Sequence, residues 1–265
     1  MSVAISQDAR GVLTVRLDRP DKRNALSDEM MAALLDAFEA AGGDESTVRV
    51  VLLEAAGEHF CGGADIVARN SAAREQRPRV GGIQRRLPAQ AHRLVPLMCS
   101  TQVPIVCKVR GWAAGIGFQL ALASDVCVAA DDARFWEPFS ERGFTPDSGA
   151  TWLLPRRVGD VRARELLLLG RALSGTEAAE WGAIHAAVPG AELDGAVDAI
   201  VDQLAQGPTV ALGLTKWLLH EGAQASLRAQ LGNEAFAMEL SSRSEDFREG
   251  LAAFGEKRPP HFRGR

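Results

Sequence analysis

The stretch that decides the fold runs from Pro104 to Ala129 and reads PIVCKVRGWAAGIGFQLALASDVCVA. Its first six residues form a short Val/Ile-containing run that reads as a strand. A glycine-rich turn follows at Gly111 to Gly117, then a helix through Ala123 and a second strand from Val126 to Ala129. An earlier segment repeats the theme: strands at Val12–Leu17 and Val48–Glu54 flank a helix carrying Met30, Leu34, Leu35 and Phe38 at helical spacing. Ser27 is its expected N-cap, Asp28 and Glu29 suit the positive helix start, and Gly42 and Gly43 stop it. Alternation of strand and helix makes the chain α/β.

Beyond Thr176 the pattern changes. Apart from a short strand at His185–Val188, only helical periodicity remains, near 191–206, 209–220, 225–241 and 244–254. The expected organisation is a core over residues 1–200 and a helical C-terminal region over 201–265. Leu231, Phe236 and Met238 make an apolar stripe suited either to this domain or to another subunit. Arg69 to Pro88 is polar and arginine-rich, and reads as a loop leading into a helix at 84–98.

At 265 residues, 46% hydrophobic and 24% charged, the chain is long and apolar enough for a large core and is not disordered. A net charge of -4 without a dense basic run argues against nucleic acid as partner. No stretch approaches the roughly 18 apolar residues of a membrane span. The N-terminus lacks the features of a secretory signal, so a cytoplasmic location is expected. Cys61, Cys99, Cys107 and Cys127 are irregularly spaced in apolar company, as reduced buried thiols rather than disulfides or metal ligands would be.

Two glycine-bearing turns, Phe60–Asp65 and Gly111–Gly117, each follow a strand and lead toward a helix. Brought together, their free N–H groups would face an oxygen that gains negative charge during reaction. Alone, such turns are common packing devices.

In combination the motifs resemble the crotonase, or enoyl-CoA hydratase/isomerase, superfamily. The resemblance runs from about Val12 to Gly182 through LDRPDKRNALS, GEHFCGGADI, VRGWAAGIGFQLALASDV, ARFWEPFSERGFTPDSGATWLLPRRVG and GRALSGTEAAEWGAI. It implies a crotonase-like spiral of ββα units, a helical C-terminal region that builds trimers or hexamers, and an acyl-CoA thioester substrate, with no cofactor beyond that coenzyme A. Matched motif to motif, the oxyanion donors would be the N–H groups of Gly62 and Ile116. Gly63, Ala64, Asp65, Gly115 and the loop residues Lys22, Arg23 and Ala25 would line the CoA. Lys22 and Arg23 read equally well as solvated cations, and Asp65 as the cap of a helix beginning near Ile66.

Hydration of an enoyl thioester resembles two-acid chemistry, yet the positions matching the two glutamates hold Gln119 and Phe139. Asp147, in PDSGATWLLPR, remains. This segment resembles the branch typified by 1,2-epoxyphenylacetyl-CoA isomerases, in which an aspartate at the matching place is the acid/base. The expected activity is therefore isomerisation with Asp147 moving the proton. Hydration and non-catalytic acyl-CoA binding are the alternatives. The bland role for Asp147 is to cap the helix bearing Trp152 and Leu153. Glu137 and Glu141 are expected at the surface or rim, with entry into the pocket beside Asp147 as the arrangement that the hydration alternative would use.

Overall fold

The computed structural model describes residues 2–65 and 81–265. Strands β1 (Val3–Gln7), β2 (Val12–Leu17), β3 (Val50–Ala55), β4 (Ile105–Val109), β6 (Val126–Ala130) and β9 (Ala186–Val188) form one sheet in the order β1-β2-β3-β4-β6-β9. The first pair is antiparallel and the rest are parallel. Parallel strands covered on both faces need continuous apolar runs, and β3 supplies one in Val50–Leu53, all buried. A second sheet, β5 (Trp112–Ala114), β7 (Arg134–Trp136) and β8 (Leu173–Ser174), lies beside it in the order β5-β7-β8. Two successive coils, through β4 and β5 and through β6 and β7, each give a strand to the first sheet, a short strand to the second, then a helix, in the manner of the ββα spiral that the resemblance implies.

Helix α1 (Asp28–Ala41) begins as expected, with Ser27 Oγ accepting the Met30 N–H at 3.2 Å. The expected 84–98 helix is broken instead into α2 (Gly82–Arg86), a 3-10 turn over Leu87–Ala89 and α3 (Ala91–Ser100). Pro88 explains the break, because it disfavours helical geometry in the residue before it and lacks an N–H. The loop expected from Arg69 lies largely outside the described residues. Helix α4 (Ile116–Ala123) is buried at every position, which fits a helix apolar on all sides. Phe118 on α4 stacks on Phe135 of β7 with ring centroids 5.0 Å apart, locking the helix to the second sheet.

After α5 (Ala150–Leu169), broken at Gly159 (φ 78°), and α6 (Gly175–Glu180), helix α7 (Leu193–Ala205) packs on β3, β4 and β6. Its Val197, Val201 and Ala205 are core residues, so α7 crosses residue 200 and belongs to the spiral. The appendage begins with α8 (Thr209–Gly222) and continues through α9 (Leu227–Ser241) and α10 (Glu245–Glu256). Lys216 of α8 ties it down, its buried ammonium donating to the Val103 carbonyl at 3.0 Å and meeting Asp125 at 2.7 Å. Leu227, Leu231, Phe236 and Met238 remain exposed. Cys61, Cys107 and Cys127 are free and buried, and Cys99 is half-buried. No helix among the described residues is long and apolar enough to cross a membrane.

Candidate active site

The two glycine turns meet. Residues 60–64 run alongside β5, with the Phe60 N–H donating to Arg110 O, the Cys61 N–H to Trp112 O and the Ala114 N–H to Cys61 O at 2.8–2.9 Å. The approach leaves no room for side chains: a Cβ on Gly117 would lie 2.7 Å from both the Cβ and the carbonyl oxygen of Cys61. Gly63 adopts φ +102°, where a Cβ is strained, and packs on the Ala114 carbonyl.

Two of the backbone donors expected here have different fates. Ile116 opens α4 after Gly115, whose own N–H goes to Trp136 O at 2.9 Å, and the Ile116 N–H has no protein acceptor among the described residues. The Gly62 N–H, by contrast, donates to Arg23 O at 2.8 Å. An N–H already committed to a carbonyl is a poor oxyanion donor, so the expectation for Gly62 is corrected. The Ala64 N–H, two residues on, has no acceptor among the described residues, while its neighbours tether the turn: Gly63 O accepts from Leu26 and the Asp65 N–H donates to Leu26 O.

The loop bearing Lys22, Arg23 and Ala25 is shaped by Asn24, fully buried with φ 53°. Its amide donates to Ala56 O and His59 O at 2.8 and 2.7 Å, and its oxygen accepts the Arg19 N–H at 2.7 Å. Lys22 and Arg23 are left exposed on the rim beside the Gly62 turn. Asp65 pairs with Arg19 at 2.7 Å, and Arg19 also donates to Ala25 O at 3.2 Å. The helix that Asp65 was expected to cap lies outside the described residues.

Asp147 does not cap α5. The N-cap is Gly149, with no side-chain bond to the helix, and among the described residues the Asp147 carboxylate accepts the Ser148 hydroxyl at 2.8 Å. Phe139 is buried, edge-on to Phe144, with its ring 3.9 Å from where a Cβ on Gly115 would stand. Glu141 is exposed, as expected.

Glu137 is not at the surface. It is 1% exposed, and its Oε1 accepts from Nε2 of the fully buried Gln119 at 2.5 Å. Burial, and then the charge of Asp147, hold its carboxyl well above the usual carboxylate range, against the opposing pull of the Gln119 hydrogen bond. A second carboxyl group therefore accompanies Asp147, whose charge acts on it. Reading Glu137 by its direction relative to Phe139 hid this; the signal in the sequence is that Glu137 stands among apolar neighbours in Phe135-Trp136-Glu137-Pro138-Phe139.

A sequence profile for enoyl-CoA hydratase/isomerase matches residues 7–265. The chain belongs to this family. It is similar to the 1,2-epoxyphenylacetyl-CoA isomerase of Escherichia coli (strain K12), with 39% identity covering all of both chains. A Rhodobacter capsulatus protein named "Probable enoyl-CoA hydratase" is 38% identical over 97% of this chain and 96% of its own. The crystal structure of enoyl-CoA hydratase from Bacillus anthracis superposes with a TM-score of 0.91 at 30% identity, covering all of both chains. Homologues named for isomerases and for hydratases make the chain an enzyme of the isomerase/lyase kind.

Proposed function

We propose that this family member isomerises an unsaturated or ring-strained acyl-CoA through a thioester enolate, with the Ala64 and Ile116 N–H groups holding the enolate oxygen and Asp147 removing the C2 proton. The observation that supports the reading is the pair of N–H groups without an acceptor among the described residues, on turns stitched together along β5, with an Asp147 carboxylate that does not cap α5 and whose charge acts on the Gln119-bonded Glu137. Donors fixed before reaction lose nothing to reorganisation as charge develops, and removing one typically costs about 3–4 kcal/mol of transition-state stabilisation. Lys22 and Arg23 are suitably exposed to meet the CoA phosphates. Gly62, Gly63 and Gly115 serve as close-approach backbone, and Gln119 and Phe139 bound the acyl end. The chemistry calls for no cofactor besides the substrate's coenzyme A. The exposed Leu231, Phe236 and Met238 on α9 suit a second copy of the chain in a trimer or hexamer.

Hydration is the second reading, favoured by the buried Glu137 that gives the site two carboxyls. Asp147→Asn tests the main one. Asn keeps the size and the Ser148 contact but cannot exchange protons, so turnover should fall about 100-fold or more while the melting temperature holds. A panel of acyl-CoA thioesters assayed for double-bond shift, ring opening and hydration identifies the reaction, and near-normal turnover in Asp147→Asn would remove Asp147 from it.

A further inference from the structure

The Gln119–Glu137 pair carries two buried atoms without a hydrogen-bond partner, Gln119 Oε1 and Glu137 Oε2. Both are acceptors while Glu137 is ionised, and one proton on Glu137 supplies the donor that the pair lacks. A carboxylic acid and a carboxamide face to face make two hydrogen bonds, amide N–H to carboxyl oxygen and carboxyl O–H to amide oxygen. Among the described residues no lysine or arginine pairs with Glu137, so nothing compensates a charge there. The carboxyl is also linked to the site through the backbone. Trp136, one residue before it, accepts the N–H of Gly115, which in turn leads into Ile116, and Gln119 lies one helical turn beyond Ile116 on α4.

We propose that Glu137 is the second proton-transfer group of the site, a neutral acid that delivers its proton to C4 of the substrate after Asp147 has taken one from C2. This rests on the role given to Asp147 above. In the first step the Asp147 carboxylate gains the C2 proton, and the C2–H electron pair becomes the conjugated enolate, with its charge on the thioester oxygen. In the second, the oxygen's electron pair restores the thioester C=O, the C1–C2 π pair becomes the C2–C3 double bond and the C3–C4 π pair forms the C4–H bond. The O–H bond of Glu137 breaks, leaving its electron pair on the carboxylate. One proton returned from Asp147 to Glu137 restores the starting state.

The two carboxyls are coupled in the direction this sequence needs. The negative charge of Asp147 is one of the two influences that hold the proton on Glu137, burial being the larger. Once Asp147 is protonated that influence vanishes, and Glu137 becomes a stronger acid when C4 needs a proton.

The experiment follows a 3-enoyl-CoA deuterated at C2 through a single turnover in ordinary water, with wild type, Glu137→Gln and Asp147→Asn. Expected is a product with little deuterium at C4 in wild type, because the C4 proton comes from Glu137. In Glu137→Gln, isomerisation should fall about 100-fold or more with C2 exchange retained, and the residual product should carry deuterium at C4, delivered by Asp147 acting alone. A merely structural Glu137 would change the rate without changing where the label goes. Substantial C2-to-C4 transfer in wild type would overturn the role of Glu137 and leave Asp147 as the single acid/base. Absence of C2 exchange in wild type, with C2 exchange and turnover unchanged in Asp147→Asn, would instead overturn the reading of Asp147 and Glu137's role with it.

Discussion

Asp246 and Glu137 are equally hidden, at 2% and 1% exposure, yet the C-terminal region and the site treat their carboxyls in opposite ways. Asp246, in the first turn of α10, has both oxygens filled: Oδ1 by the Arg263 N–H at 2.6 Å and Oδ2 by the Gly264 N–H at 2.8 Å. It fastens the chain's tail to the helix, with a further bond from its own N–H to Arg265 O. Glu137 has one amide donor and one empty oxygen. A buried carboxyl that serves stability is fully paired, because each unpaired polar atom is costly. One left incomplete beside a second carboxyl is a site feature that the surrounding fold sustains.

The contrast can be broken at its strongest point first. Asp246→Ala strips two backbone N–H groups of a charged acceptor, and should cost about 2 kcal/mol in chemical denaturation, with proteolysis of the last residues as a second readout. A loss indistinguishable from zero would remove Asp246 from the stabilising side of the comparison. Glu137→Gln replaces a neutral acid by a neutral amide of the same shape, so the cost at acidic pH should stay below about 1 kcal/mol. Its signature lies in pH dependence. Because the folded carboxyl binds its proton more tightly than the unfolded one, stability from this group is full below the ordinary value of 4.5 and declines as pH rises toward the raised folded value. Wild type should therefore lose stability across that window, and Glu137→Gln should be flatter. The smallest effect sharpens the picture: Asp147→Asn should narrow the same window from its upper end, because the one charge acting on Glu137 is gone.

The elements that the chain announced are those whose signal is local. Ser27 caps α1, the strands at Val12 and Ile105 stand where apolar runs stop at polar or glycine residues, and all-apolar α4 follows its glycines. The short strands Trp112–Ala114 and Arg134–Trp136 escaped notice, since three residues are too few to show the alternation of a half-buried strand. The site was legible by region and misread by atom. Motif matching pointed to two turns that the fold does bring together, but whether Gly62 or Ala64 has a free N–H depends on the Arg23 carbonyl, some forty residues earlier in the chain. Glu137 was misplaced for a related reason: it is buried with its carboxyl on Gln119, eighteen residues earlier, a pairing that spacing around Phe139 does not encode.

The hydrogen bond that disqualifies the Gly62 N–H has a second side. Through Arg23 O it yokes the loop that displays Lys22 and Arg23 to the turn that aims the Ala64 N–H, and Leu26 binds the other end of the same turn. On the function proposed above, a grip on the far, phosphate-bearing end of a thioester would thereby be transmitted to the backbone that would hold its carbonyl. Attraction at atoms that never react is converted into alignment at the atom that does, and a thioester shorn of its nucleotide forfeits turnover as well as affinity.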